Sequence, residues 1–198
     1  PDSADFNKEA SRRALSNSLE GHVIFSDTSE GAKFTSDFPW ESNVNNGLYQ
    51  GVKNFSMKPG DKFGIILVPN GSLEDVYNNP NIGGDKRPLY SLASANPLQG
   101  FHVGQIADIN GNGNAFVMED LRVDGYTDKD YNDIIFKFTG AKGKAIAMDE
   151  VIDQSKDWRK TPIGKDIIDY INLPGNSDSG GNRGGGNGDD HNLPLSLI

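Results

Sequence analysis

Short apolar segments alternate with clusters of Gly, Asn, Asp and Pro through most of the chain. This alternation is typical of an all-β protein, in which short strands are joined by turns. Two segments, residues 62–68 and 134–139, are apolar at most positions, so we predict strands buried on both faces. Residues 110–113 are Asn-Gly-Asn-Gly, which predicts a hairpin turn between strands at 99–109 and 114–121.

Helical spacing of apolar residues occurs near the two ends of the chain and in one short internal segment. Residues 3–19 predict an N-terminal helix. Thr161 and Pro162 predict the start of a helix over residues 162–172, because Thr caps a helix and Pro suits its first turn. A Ser three positions before an Asp predicts a short capped helix at 72–78.

These elements predict one domain and a tail. We expect residues 1–175 to form a single, mainly β domain, a β-sandwich of jelly-roll kind with peripheral N- and C-terminal helices. Residues 176–198 are rich in Gly, Asn, Asp and Ser, which is the composition of a flexible linker, so we predict a flexible tail. The last six residues are apolar, and they either add a strand elsewhere or begin the next module of a longer chain.

The charge of the chain narrows the classes of partner. With 28 acidic and 19 basic residues, the net charge is −9 and the pI is near 4.7. Nucleic acids and anionic membranes bind basic surfaces, so the net negative charge argues against both as partners and suits binding of a cation.

No run of 18 apolar residues is present, so we predict no membrane insertion. Cysteine is absent, which excludes disulfides. The first residue is Pro1, so we expect a mature form or a segment cut from a longer chain. We also predict that the protein is a monomeric module of such a chain.

The most informative segment is an acidic loop directly before the apolar run at 134–139. Its candidate oxygen ligands are Glu119, Asp120, Asp124, Asp128, Asp130, Asn132 and Asp133. Carboxylates crowded at the end of a buried strand repel one another unless a cation lies among them, and Ca²⁺ accepts many such oxygen ligands. We therefore predict a calcium site. The alternatives are a solvated acidic turn and, for Asn132, a role as a turn cap.

Residues 108–119 match the twelve-residue pattern of an EF-hand loop, with Asp108 first, Gly113 sixth and Glu119 twelfth. Neither flank has a helical pattern, and the Asn-Gly-Asn-Gly core is what a β-hairpin requires, so we discount an EF-hand. A looser interpretation stays open, in which the hairpin brings Asp108 or Glu119 to the acidic loop. For this reason Asp108 is included among the predicted metal ligands.

The sequence favours a binding protein over an enzyme. Its histidines, His22, His102 and His191, are far apart and lack the spacing of zinc ligands. It has no Gly-x-Ser-x-Gly elbow, phosphate-binding loop or dinucleotide fingerprint. A hydrolase or a self-processing module stays a third possibility, since paired carboxylates can act as acid and base. Trp40 and Trp158 either fill the core, which we favour, or offer a flat face to a sugar or peptide.

Two motifs resemble a known family. Residues 116–121 are Phe-Val-Met-Glu-Asp-Leu, and residues 128–136 are Asp-Lys-Asp-Tyr-Asn-Asp-Ile-Ile-Phe. Together they resemble the signature of the bacterial domain of unknown function 4114, and LruC-type domains of bacterial surface proteins share a similar pattern. Residues 60–71 and 149–159 resemble the cyanobacterial form of that family. The resemblance covers about residues 47–170.

The resemblance implies a secreted or surface-attached β-sandwich, one module of an adhesin-like protein that binds calcium or acts as a lectin-like or peptide-binding domain. The residues that match its motifs are Glu119, Asp120, Asp128, Asp130, Asn132 and Asp133. Asp108 and Asp124 rest on local chemistry alone. We predict an extracellular or cell-surface calcium-binding module that recognises a glycan or peptide and is not an enzyme. The alternative is a purely structural, calcium-stabilised domain of a larger secreted protein.

Overall fold

The computed structural model describes residues 3–25, 29–34, 47–106, 114–173 and 192–197, the last segment by its backbone. The helices are α1 (Ala4–Leu15), α2 (Leu73–Asn78) and α3 (Pro162–Asn172). The strands are β1 (Glu30–Gly31), β2 (Leu48–Tyr49), β3 (Lys53–Ser56), β4 (Ile66–Leu67), β5 (Leu89–Tyr90), β6 (Val103–Gln105), β7 (Ala115–Met118), β8 (Ile134–Phe138) and β9 (Asn192–Leu197). None of the helices in these ranges has the length and apolar character needed to cross a bilayer.

The main sheet has five antiparallel strands in the order β3-β9-β8-β7-β6. Its central hairpin pairs β7 with β8, with Met118 opposite Ile134 and Ala115 opposite Lys137. The connection between these two strands, residues 119–133, therefore leaves and re-enters the sheet at neighbouring positions. We call this connection the acidic loop.

Around β7 and β8 both faces of the main sheet are buried. Successive side chains of each strand point to opposite faces, so these strands contribute to two clusters. On one face, Val117 and Ile135 pack in a cluster with buried residues of α3 and with Trp158. On the other face, the rings of Phe116 and Phe136 stack with centroids 5.8 Å apart, among residues of β4 and its neighbours. The predicted strand at 134–139 is confirmed, and so is the core position of Trp158, which is fully buried.

The predicted fold class is confirmed only in part. Besides the main sheet, the described residues form two sheets of two strands each, β1-β2 and β4-β5, and no closed barrel. A sandwich of two full sheets is not clearly shown by them. The strand predicted at 62–68 is wrong in extent: β4 covers Ile66–Leu67, is half-buried and pairs with β5. Asn70, with a φ of 48°, turns the chain soon after it.

Local capping explains where the helices begin and end. At α3, the Thr161 hydroxyl accepts a hydrogen bond from Gly164 N at 3.1 Å, as predicted. At α2, Ser72 and Asp75 form the predicted capping box. The N-terminal helix was predicted to reach residue 19, but α1 ends at Leu15, because the chain turns into a left-handed conformation two residues later.

The prediction of a flexible tail over residues 176–198 does not hold at its end. Strand β9 lies between β3 and β8, with Leu197 opposite Phe136, so the last apolar residues complete the main sheet. The strand predicted at 99–109 is reduced to β6 within the described residues. The predicted turn at 110–113 lies outside the described residues.

Candidate metal centre

The antiparallel pairing of β7 with β8 brings together carboxylates that are far apart in sequence. Glu119 directly follows Met118, and Asp133 directly precedes Ile134, which is the partner of Met118 across the hairpin. The backbone N–H of Asp120 donates a hydrogen bond of 2.8 Å to Asp133 Oδ2, which holds the two ends of the acidic loop together. The register of two apolar strands thus decides which acids meet.

Within the described residues, two groups of three carboxylates have the geometry of a metal site. One consists of Glu119, Asp128 and Asp130, and the other of Glu119, Asp120 and Asp133. In each group, one oxygen from every carboxylate lies within 4.8 Å of the others. Oxygen ligands lie about 2.3–2.6 Å from Ca²⁺, so oxygens on opposite sides of one ion lie about 5 Å apart. The oxygens of each group are therefore close enough together to share one metal ion.

Glu119 belongs to both groups and is fully buried. Its Oε1 accepts a hydrogen bond from Leu121 N at 3.2 Å, and its Oε2 accepts one from Tyr131 N at 3.4 Å. Burial, followed by the negative charge of Asp128, raises the pKa of Glu119 to about 7. A carboxylate in this position is costly to ionise unless a positive charge is close.

Asp130 is the second fully buried carboxylate, and Asn132 orients it. The side-chain amide of Asn132 donates to Asp130 Oδ2 at 2.8 Å, and the Asn132 backbone N–H lies 3.3 Å from Asp130 Oδ1. The structure therefore places Asn132 as a hydrogen-bond donor to a candidate ligand. On either side of Asp130, Lys129 and Tyr131 have φ angles of 55° and 53°, a left-handed conformation that is uncommon for such residues.

The second group is the more open of the two. Asp120 is half-buried and Asp133 is exposed. Reduced hydration of the carboxylate, followed by the negative charge of Asp120, raises the pKa of Asp133 above its usual range. An ion held here would have a side that faces solvent.

Asp124 does not join the other carboxylates. Arg122 donates to both of its oxygens, at 3.0 Å to Oδ1 and 2.7 Å to Oδ2, and Arg87 lies 3.9 Å from Oδ2. The hydrogen bonds from Arg122 hold the pKa of Asp124 below its usual range. A planar guanidinium satisfies a carboxylate on two oxygens at once, so we leave Asp124 out of the candidate site. Asp108 lies outside the described residues, as do Trp40 and His191.

Neighbouring side chains fix the backbone of the acidic loop. The Tyr131 hydroxyl donates to the Phe101 carbonyl at 2.7 Å, and Trp158 Nε1 donates to the Tyr131 carbonyl at 3.3 Å. His102 is buried, and its Nδ1 lies 3.2 Å from the Glu119 carbonyl oxygen, so this nitrogen carries the hydrogen and donates. Burial lowers the pKa of His102, which keeps the ring neutral at neutral pH.

Sequence reasoning missed these supporting contacts and one cation. Lys156 Nζ lies 3.1 Å from Asp128 Oδ2, in the first of the two groups. Nothing in the spacing of Lys156 or Trp158 relative to the acidic loop indicates that they meet it, because the chain returns there only through tertiary packing.

One segment of the chain, which contains the acidic loop, matches a known protein family. Residues 57–141 match the model of the family described as "Domain of unknown function (DUF4114)". This match supports the family resemblance that the two motifs indicated. The DUF4114 segment contains every carboxylate of the two groups, whereas Lys156, Trp158 and α3 follow its end. No curated protein and no solved structure matches the chain.

Proposed function

We propose that this protein is a calcium-binding module in which two Ca²⁺ ions share the carboxylate of Glu119. The observation that carries the proposal is the position of this fully buried side chain in both groups of three carboxylates. A carboxylate has two oxygens and about four lone-pair sites, so it can bridge two ions. Such bridging would explain why a charge is retained where burial opposes ionisation.

The ligand chemistry favours calcium over other metals. Both groups consist of carboxylates, and hard oxygen ligands suit Ca²⁺ and Mg²⁺, whereas zinc sites usually include His or Cys. The five carboxylates carry five formal negative charges, and two Ca²⁺ ions would neutralise four of them. Mg²⁺ loses its water shell reluctantly and is usually bound through one or two carboxylates, which is fewer than either group offers.

The burial of Glu119 and Asp130 supports an ordering role for the ions. An ion among them would tie the end of β7 to the start of β8 and to the loop between them, and so would act as a cross-link inside the domain.

In this proposal the domain is a β-sandwich in which the β4-β5 sheet covers the second face of the main sheet. It works at the cell surface or outside the cell, as a module of a longer protein.

Calcium-dependent recognition of a glycan or peptide is the second candidate function. Exposed apolar side chains support it: Tyr126 in the acidic loop is 88% exposed, and Leu98 is also 88% exposed. Leu98 precedes β6, and the first residue of β6, Val103, pairs with Met118 at the end of β7. Leu98 therefore lies at the same end of the sheet as Glu119. An apolar face beside an ion with an open side is a common arrangement for holding sugars.

A glycan and peptide array separates recognition from a purely structural role. Recognition predicts signals that depend on calcium and that fall at least tenfold for Tyr126→Ala, because a stacking ring would be lost. Tyr77→Ala, which removes an exposed Tyr from α2, is the matched control. A blank array with folded, calcium-loaded protein would contradict recognition and leave the ordering role.

Calcium titration by calorimetry tests the two-ion proposal directly. We expect two ions per chain for the parent protein and one for Asp133→Asn, because that change removes a carboxylate from the second group alone. Asp85→Asn, at an exposed position outside both groups, is the control and should still bind two. A stoichiometry of one for the parent would contradict a shared Glu119, and no binding would contradict the calcium site altogether.

A further inference from the structure

A short segment beyond the DUF4114 match docks on the acidic loop through three polar contacts. We call residues 153–158 the C-terminal clamp. The backbone N–H of Asp153 donates to the Lys129 carbonyl at 2.8 Å, and Trp158 Nε1 donates to the Tyr131 carbonyl at 3.3 Å. Between these two attachments, Lys156 Nζ lies 3.1 Å from Asp128 Oδ2. The clamp thus forms hydrogen bonds with the backbone on both sides of Asp130, and its lysine forms an ion pair with Asp128.

The two backbone attachments fix where Lys156 can reach. Trp158 is fully buried in the cluster beneath the sheet, so the clamp is anchored by packing and not by the lysine. The Lys156 and Asp128 side chains are themselves partly exposed, at 28% and 22%. A flexible lysine stem can therefore withdraw into solvent while the rest of the clamp stays in place.

A divalent ion and the Lys156 ammonium would compete for the same carboxylate, that of Asp128. An ion held by Glu119, Asp128 and Asp130 needs an oxygen of Asp128, and Asp128 has Lys156 on its Oδ2. Two positive charges within a few ångströms of one partly buried carboxylate repel each other. Either Lys156 leaves or the ion binds more weakly.

We propose that Lys156 is the resident counter-cation of the Glu119–Asp128–Asp130 group, which neutralises Asp128 in the metal-free protein and gives it up when a divalent ion binds. Lys156 thereby sets the affinity of this group and not that of the Glu119–Asp120–Asp133 group. This inference rests on the proposed calcium site. Binding linkage is reciprocal, so calcium weakens the ion pair by the same factor by which the ion pair weakens calcium binding. Removal of the ammonium should therefore tighten calcium binding.

Calorimetry of three forms of the full chain in calcium tests the inference. We expect Lys156→Met, which keeps the aliphatic stem, to tighten binding of one ion by about tenfold. Lys165→Met on α3 changes the net charge equally but lies outside the site, so its affinities should match those of the parent. In chelator, the melting temperature of Lys156→Met should lie below that of Lys165→Met, because the carboxylates lose their counter-cation.

The outcomes separate the two proposals. If all three forms bind calcium with equal affinity, or if Lys156→Met binds more weakly, the role of Lys156 is overturned and the calcium site stands. If none of them binds calcium, both proposals are overturned.

Amine labelling of the unmodified chain gives a second readout that needs no variant. The reactivity of the Lys156 amine, followed by mass spectrometry, should rise severalfold on addition of calcium, while that of Lys165 stays constant. Unchanged or lower reactivity of Lys156 in calcium-loaded protein would overturn the proposal.

Discussion

Millimolar calcium is expected to raise the melting temperature of this protein by about 5–10 °C relative to the same protein in chelator. An ion that binds only the folded state at 100 times its dissociation constant adds about 2.7 kcal/mol of stability. For a chain of this size each kcal/mol corresponds to about 2–4 °C. The measurement is a thermal scan by circular dichroism at fixed ionic strength.

The double substitution Asp128→Ala with Asp130→Ala should remove the part of this increase that comes from the first ion, because two of the three carboxylates of the first group are lost while the second group keeps all three. Magnesium at the same concentration is the control for a general effect of divalent ions and should give a smaller increase. If calcium leaves the melting temperature of the parent protein unchanged, the metal site is contradicted.

Glu119→Gln should have opposite effects with and without calcium. In chelator we expect the free energy of unfolding to rise by about 1–2 kcal/mol, which is the size of many stabilising single substitutions. The reason is that a buried negative charge close to four other carboxylates is replaced by a neutral group of the same shape. In calcium the same variant should lose the increase in melting temperature, because both groups lose their shared ligand. Urea unfolding in chelator and in calcium measures both effects.

Glu150→Gln is the matched control, since it removes one charge at an exposed position outside the site. It should leave both stabilities within about 0.5 kcal/mol of the parent. A Glu119→Gln variant that is less stable in chelator and still responds to calcium would contradict both the repulsion and the ligand role.

The raised pKa of Glu119 also predicts the pH dependence of the metal-free protein. Between about pH 4.5 and pH 7 the unfolded chain has released this proton while the folded chain still holds it. The folded state then binds more protons, so the contribution of this group to stability falls as the pH rises through that window and is constant above it. Glu119→Gln should lack this contribution, and the difference in slope between the two proteins isolates it.

The candidate site was largely predictable from local sequence. Asp128, Asp130, Asn132 and Asp133 are close in the chain, and carboxylates this dense before an apolar strand indicate a cation whatever the fold. The strand at 134–139 was predictable for the same kind of reason, because a run of apolar residues is stable only when it is buried. The caps of α2 and α3 depend on neighbouring residues alone, and both were predicted correctly.

Other features depend on contacts between distant parts of the chain. Asp124 has the same local chemistry as its neighbours, yet two arginines remove it from the site, and one of them, Arg87, is far away in sequence. The apolar end of the tail becomes β9 in the main sheet because β3 and β8 offer it two edges.

The sequence by itself determined that acidic oxygens collect before a buried strand, since both features are properties of a short, continuous segment. Only the tertiary structure decided which carboxylates lie together in each of the two groups. The pairing of Met118 with Ile134 places Glu119 between two groups of carboxylates, and the packing of Trp158 carries Lys156 to Asp128. Strand register and helix packing are set by the burial of many apolar side chains at once, so no single motif encodes them.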